Sequence, residues 1–493
     1  MNNRTSRNRF DEFRAGLTYD DVLLVPKYSK VGSRHGADTS THLTKKISLK
    51  IPLVSANMDT VTEAEMAVTI AREGGIGIIH RFMSLEEQVA QVRKVKRMES
   101  IMIEFPYSLN TNAKVSEVKK LMNEKNVGGI LIVDDSGVLQ GIVTTRDLRF
   151  YEDLTAPVTK VMTERKKIVS ARWGKTSIEQ ARKIMEDTKI EKLPLLDSQG
   201  RLRGLVTAKD ILKRKEFPDA TKDSKGRLRV GAAVGVKGDY LERAKSLAKV
   251  DVDVLVLDIA HGHSLHAIEA IERIKKSVPE VELVAGNVAT KEGARDLIKA
   301  GADSIKVGVG SGSICITRIV TGSGVPQLTA VIDCSKVTRD NGVTLIADGG
   351  IRNSGDIAKA LVAGADTVMV GGLLAGTDES PGEIVFRGNH RYKVTRGMAS
   401  MSARKDRFAR EGIATESVQQ LDLVDYVPEG VEAIVPYKGT AVSVIHQLAG
   451  GLRSGMSYCG ASNLKEMRSN GEFIRISEVG LAESKPHDVI TDL

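Results

Sequence analysis

Short apolar runs alternate with amphipathic stretches at both ends of this chain, and a stretch of different texture separates them. Ile51-Pro-Leu-Val-Ser-Ala56 has the length of a buried strand and ends in the polar Asn57-Met58-Asp59-Thr60. Helical spacing follows across 63–73, Gly75-Ile-Gly-Ile-Ile-His80 reads as a second strand, and 85–98 reads as an amphipathic helix. The same rhythm resumes after 216. Strands are predicted at Val252–Asp258, Glu282–Asn287, Ser304–Val307, Thr344–Asp348 and Asp366–Gly372, with helices over 291–300 and 355–362. Polar residues or glycines follow the apolar run at Asp258, Asn287, Gly308, Asp348 and Gly371. Functional groups at the C-terminal ends of successive parallel strands are the mark of a (β/α)8 barrel, and the strand count comes close to eight. The fold class is therefore α/β, a TIM barrel, with 1–100 and 216–493 as its two parts.

Between about 101 and 215 the pattern repeats itself. Gly129-Ile-Leu-Ile-Val-Asp-Asp-Ser-Gly137 with Gly141-Ile-Val-Thr-Thr-Arg-Asp147 is echoed by Lys192-Leu-Pro-Leu-Leu-Asp-Ser-Gln-Gly200 with Gly204-Leu-Val-Thr-Ala-Lys-Asp210. Each copy reads as helix, hairpin and closing helix. The repeat resembles the paired CBS module, which implies an inserted regulatory unit. Asp147 and Asp210 match the position that contacts ribose in that family, so an adenine or guanine nucleotide effector is expected. As Asp is also a good helix cap, both residues equally suit the starts of the helices that follow.

Composition narrows the function classes. At 493 residues the chain has room for two or three domains or for one interrupted barrel. Aromatics make up only 4%, too few for base-stacking platforms, so no specific nucleic-acid partner is expected. The net charge of +9 is carried by Arg4, Arg7, Arg9 and by clusters such as 165–167, which suit solvated helix faces. Three cysteines far apart, Cys315, Cys334 and Cys459, fit a reduced cytoplasmic protein rather than a disulfide framework. No apolar run reaches membrane-spanning length. His261 and His263 lack an apparent third ligand, so they make no metal site.

The chemistry concentrates in Lys306-Val-Gly-Val-Gly-Ser-Gly-Ser-Ile-Cys-Ile-Thr-Arg318. Glycines at 308, 310 and 312 let the backbone turn sharply and approach a ligand, and a thiol, Cys315, follows with the hydroxyl of Thr317. A thiol in such a loop is placed to act as a nucleophile. Asp348-Gly349-Gly350 and Gly371-Gly372 suit backbone recognition of phosphate and carboxylate recognition of a ribose diol, pointing to a nucleotide or sugar phosphate.

Leu17–Leu24, Met58-Asp-Thr-Val-Thr62, Ala260-His-Gly-His-Ser264, Gly308–Arg318 and Val325-Pro-Gln327 together resemble the inosine monophosphate dehydrogenase / guanosine monophosphate reductase family. Ile346-Ala-Asp-Gly-Gly350, Arg396-Gly-Met398, Val427-Pro-Glu-Gly430 and His487-Asp488 extend the likeness over nearly the whole chain. The resemblance implies NAD-dependent oxidation of IMP to XMP through a thioimidate on Cys315, with Thr317 and Arg407 assisting water. It implies a purine nucleotide held by Ser313, Asp348, Gly349, Gly350, Gly371, Gly372, Thr395, Arg396, Gly397, Met398, Ala399 and Glu429. NAD would meet Asp258, Gly308, Val309 and Gly310. Potassium would be bound by the carbonyls of Gly310, Gly312 and Cys315, with Glu483, Ser484 and Lys485 of a neighbouring subunit in a homotetramer.

The sequence departs from the dehydrogenase pattern in the flap, about 398–426. Arg407 matches the water-activating arginine, but Phe408 stands for its tyrosine partner, and the flap is shortened just before them. Thr395 replaces another tyrosine, Ser311 a proline, and Gly371-Gly372 a Gly-Ser pair. These changes favour the alternative, an NADPH-dependent GMP reductase that releases ammonia and needs no water. Compact reductases, however, place a glutamate near Ser400-Met401, where this chain has methionine. A third reading is a nucleotide sensor without catalysis, which would form no adduct on Cys315.

Overall fold

In the computed structural model the described residues are 14–98, 103–104, 106–209, 211, 216–410 and 426–486. The chain divides into two compact units, one formed by Met1–Lys96, Asp219–Thr221 and Leu228–Leu493, the other by Arg97–Pro218 and Lys222–Arg227.

The first unit is a closed barrel of eight strands. In chain order they are β1 (Leu53–Ser55), β2 (Ile76–Ile79), β3 (Gly231–Val234), β4 (Val254–Asp258), β5 (Glu282–Val288), β6 (Ser304–Val307), β7 (Thr344–Asp348) and β8 (Thr367–Val370). Every neighbouring pair is parallel and β2 pairs with β3, so the inserted unit interrupts the sequence without breaking the ring. This is the α/β barrel that the strand rhythm implies.

Alternation along each strand divides the core into two layers. Val54, Ile76, Ile78, Ala233, Val254, Val256, Val284, Ile346 and Met369 fill the barrel interior. Leu43, Ile47 and Leu49, from the antiparallel ribbon Thr41–Thr44 and Ile47–Leu49, belong to the same cluster and plug it. The neighbours in sequence, such as Leu255, Leu257, Leu283, Ala285, Ile305 and Val307, face the outer helices. The plug and β3 are not among the predicted elements.

Three further features bring the C-terminal half onto the barrel. Ile384–Arg387, His390–Arg396 and Glu432–Pro436 form an antiparallel sheet. Buried Lys393 secures it by donating to the carbonyls of Thr377 at 2.8 Å and Ser380 at 2.5 Å. The helix Ala441–Tyr458 packs on the helix Ser354–Val362. Val22–Leu24 pairs with Phe473–Arg475, closing the chain's described ends together.

The second unit consists of two related four-stranded sheets. Gly129–Val133 and Leu139–Thr144 form one hairpin, Lys192–Leu196 and Leu202–Thr207 the other. Their tips bond to each other, Leu139 N to Gly200 O at 3.2 Å and Leu202 N to Gly137 O at 3.0 Å. The internal repeat is thus a pair of similar sheets joined through their turns. Asp147 acts as a cap, since its Oδ2 accepts from the Thr144 amide and hydroxyl, both at 2.7 Å. Asp210 lies outside the described residues.

Candidate active site

The C-terminal ends of the barrel strands surround a cavity of about 370 Å³. Its lining includes Asp258, Asn287, Lys306, Gly308–Gly312, Cys315, Thr317, Asp348, Gly349, Gly397–Ala399 and Glu429. It is built from backbone outward. Cys315 lies in a short antiparallel crossing: Val431 N donates to Ile314 O at 3.0 Å and Ile316 N to Glu429 O at 2.8 Å. Glu429 and Gly430 in turn donate to Ala399 O at 3.1 and 3.2 Å. The segments at 314–316, 429–431 and 397–399 are therefore stacked, which explains why Arg396-Gly-Met398 and Val427-Pro-Glu-Gly430 appear together in the sequence. A Cβ on Gly397 would lie 2.9 Å from the Gly430 Cα.

This stacking brings three reactive side chains into line. Thr317 Oγ1 donates to Glu429 Oε2 at 2.7 Å, and the Cys315 sulfur is 3.1 Å from the same hydroxyl. A hydroxyl has one proton to give. With that proton committed to the carboxylate, the thiol is the donor to Thr317. The array Sγ–H, Oγ1–H, Oε2 can carry the thiol proton to Glu429, leaving a thiolate in a half-buried position.

The glycines of the loop are fixed by collision. Gly308 has φ +153°, and a Cβ there would lie 1.9 Å from the Asp348 carbonyl oxygen. Gly310, at φ +74°, accommodates the Arg318 side chain, which would be 2.5 Å from an added Cβ. Arg318 holds the loop by donating to Val309 O at 3.2 Å and to Val325 O at 2.6 Å. Gly308→Ala is therefore expected to displace the loop from β7 and to reduce turnover by at least about a hundredfold, because misplacement near 1 Å costs that much. Steady-state kinetics, with circular dichroism confirming a folded barrel, checks this.

Asp348 is held from several sides. Its Oδ2 accepts from Lys306 Nζ at 2.8 Å and from Asn287 Nδ2 at 2.9 Å. Asp258, at the end of β4, lies 3.5 Å from the Arg81 Nε, and the Arg81 guanidinium covers the Phe82 ring.

Other expected residues lie beside the cavity rather than on its lining. Ser313 Oγ abuts Gly372, where a Cβ would meet it at 3.2 Å. Gly350 faces the buried ring of Tyr19, whose hydroxyl burial pushes well above its ordinary range. Thr395 is buried against Thr60 at 3.3 Å. Arg396 is already engaged, donating to Asp59 Oδ2 at 2.6 Å and lying 2.7 Å from Asp406. Glu483, Ser484 and Lys485 do not line the cavity; they end and follow the helix Glu478–Glu483, which packs against the turn Tyr19–Asp21. Arg407 belongs to the helix Met401–Arg410, and its side chain lies outside the described residues, as do residues 411–425 of the flap.

The sequence reading missed Lys306, Asn57, Met58, Arg81, Arg404 and Tyr426 among the lining residues. Arg404 stacks on the Tyr426 ring at 4.1 Å, and Tyr426 donates to Ala399 O at 2.8 Å. An arginine–tyrosine pair thus does line the cavity, made from residues at opposite ends of the flap. A charged residue between Ile305 and Val307 in the buried β6 was the available signal for Lys306; the Arg404–Tyr426 pairing has no local signal.

The model of the IMP dehydrogenase / GMP reductase domain matches residues 16–487. The chain belongs to that family. Among its relatives, an inosine-5'-monophosphate dehydrogenase from Nitrosopumilus maritimus is 55% identical over 97% of this chain and 99% of that protein. One from Aquifex aeolicus is 51% identical over 97% of this chain and 96% of its own length. Among solved structures, a cysteine-to-alanine variant of GMP reductase from Trypanosoma brucei, in complex with guanosine 5'-monophosphate, is similar with a TM-score of 0.89. That protein is 45% identical and aligns over 97% of this chain and 99% of its own. The family likeness therefore spans the inserted unit as well as the barrel.

Proposed function

We propose that the protein is an IMP dehydrogenase that oxidises IMP to XMP. The observation that carries the proposal is the aligned Cys315–Thr317–Glu429 array beneath a nucleotide-sized cavity, in a chain about half identical to proteins named inosine-5'-monophosphate dehydrogenase. Cys315, its proton passed through Thr317 to Glu429, attacks C2 of the purine. The hydride at C2 departs, and the thioimidate on Cys315 is then hydrolysed. Covalent catalysis divides one difficult substitution into two easier steps. NAD, which Asp258 and the Gly308–Gly310 backbone would hold, would supply the hydride acceptor. Glu429 releases the thiol proton to solvent, and Thr317 and Glu429 then serve the attacking water, assisted by a flap arginine, either Arg407 or the cavity-lining Arg404, with the Cys315 thiolate as the leaving group.

Asp348 binds the ribose diol, and the backbone at Gly349–Gly350 and Gly371–Gly372, with Ser313, receives the phosphate. The carbonyls of Gly310, Gly312 and Cys315 are hard oxygen donors suited to potassium. The Glu483–Lys485 segment of a second copy would complete that site within a homotetramer, as the family resemblance implies. The inserted unit is a paired CBS module, and its 720 Å³ cavity, lined by Tyr107, Lys192, Thr207 and Lys209 among others, takes the nucleotide effector. No helix among the described residues is long and apolar enough to cross a membrane. The cytoplasm is the proposed compartment.

A second reading, GMP reductase, is favoured by two observations. The Trypanosoma brucei protein, itself named a GMP reductase, aligns over 97% of this chain, and the flap has Phe408 where dehydrogenases carry a tyrosine. Incubation with IMP, NAD and potassium is expected to give NADH and XMP. Consumption of NADPH with GMP, releasing ammonia and IMP, would instead establish the reductase.

A further inference from the structure

We propose that Lys306 is a positioning residue that locks the Asp348 carboxylate to the cysteine loop, so that nucleotide recognition and nucleophile geometry depend on one buried cation. The inference rests on the nucleotide reading of the cavity given above. Alternation along β6 turns Ile305 and Val307 toward the helices and Lys306 into the barrel, in register with Ile346. Lys306 is only 2% exposed. A buried ammonium is tolerated only when paired and hydrogen-bonded.

The space for it is prepared by Gly286, where a Cβ would stand 2.8 Å from the Lys306 Cβ. Lys306 Nζ donates to Asp348 Oδ2 at 2.8 Å and also to Asn287 Oδ1. That bond orients the Asn287 amide, whose nitrogen donates to Asp348 Oδ2 at 2.9 Å and to Gly308 O at 2.8 Å. Gly308 opens the cysteine loop. The loop returns the contact through Ser311 Oγ, which donates to the Asp348 carbonyl at 3.1 Å. Oδ2 thus has two donors, whereas the described residues supply none to Oδ1, the oxygen left for a ribose diol. Without the cation, Asp348 loses the partner that fixes its rotamer, and Asn287 loses the acceptor role that sets which end of its amide faces Gly308.

The test measures the rate of Cys315 alkylation by iodoacetamide across a range of IMP or GMP concentrations, read by peptide mass. Nucleotide is expected to slow alkylation of the unaltered protein. Lys306→Met should require at least roughly tenfold more nucleotide for half protection, the scale of a lost charged hydrogen bond. Lys306→Arg should stay within about threefold, and adding Lys306→Met to Asp348→Asn should change little more than Asp348→Asn alone. If Lys306→Met does not fold, Lys306→Gln, which keeps a donor without the charge, is held to the same criterion. Protection at unaltered concentrations, effects of the two variants that multiply, or no protection by either nucleotide would overturn the inference. Protection by GMP alone, with no NADH from IMP, sinks the dehydrogenase reading but leaves the Lys306 test intact.

Discussion

Cys315→Ser is expected to reduce turnover by at least about 10⁴-fold while leaving nucleotide binding within a few-fold of the unaltered protein. The sulfur stands 3.1 Å from Thr317 Oγ1, at the outer end of a relay whose far end is Glu429. A serine hydroxyl could occupy the same place, but its proton is far harder to remove than a thiol's, and the relay ends in a carboxylate. The nucleophile would then remain protonated. Because the segment at Ile314–Ile316 is held by backbone bonds to Glu429–Val431, the substitution leaves the loop's geometry alone. Stopped turnover with retained binding is the signature of a lost covalent step. Weakened binding together with normal turnover of the bound complex would mean that Cys315 is merely part of the wall.

Glu429→Gln is expected to cost about 10²–10³-fold in turnover, the range of a general acid–base group. Glutamine can still accept the 2.7 Å hydrogen bond from Thr317, so the structural role survives while the proton-accepting role does not. The loss should be largest in kcat, with KM for the nucleotide little changed, and a rapid-quench measurement should show slower formation of the covalent intermediate. Equal losses in kcat and in nucleotide affinity would instead mark Glu429 as a binding group.

The barrel was legible because its strands are apolar runs that stop abruptly at polar residues. Asp258 and Asp348 end β4 and β7 as their sequence predicts. β3 was not seen: Gly231-Ala-Ala-Val234 lacks the bulky branched residues that mark a buried strand, because its neighbours fill the space. A Cβ on Gly231 would lie 2.5 Å from Ile78 Cδ1. The plug ribbon Thr41–Leu49 was equally hidden, since Thr41 and His42 look like loop residues until the barrel floor gives Leu43 and Leu49 somewhere to go. The cysteine loop was legible by glycine density, but the Thr317–Glu429 bond spans 112 positions and emerges only from the stacking of three segments. Arg396 illustrates the opposite case: its motif marks the site, yet its guanidinium is spent on Asp59 and Asp406. Arg404 and Tyr426, at opposite ends of the flap, meet only through folding.

The most direct test of the central claim is the mass of the intact protein after acid quench, with each nucleotide in the presence and absence of cofactor. A dehydrogenase must lose a hydride before the thioimidate exists, so IMP should add mass to Cys315 only when NAD is present. That is the predicted result, and it should vanish in Cys315→Ser. An adduct formed from GMP without any cofactor, together with none from IMP and NAD, would contradict the account and assign the same cysteine to deamination.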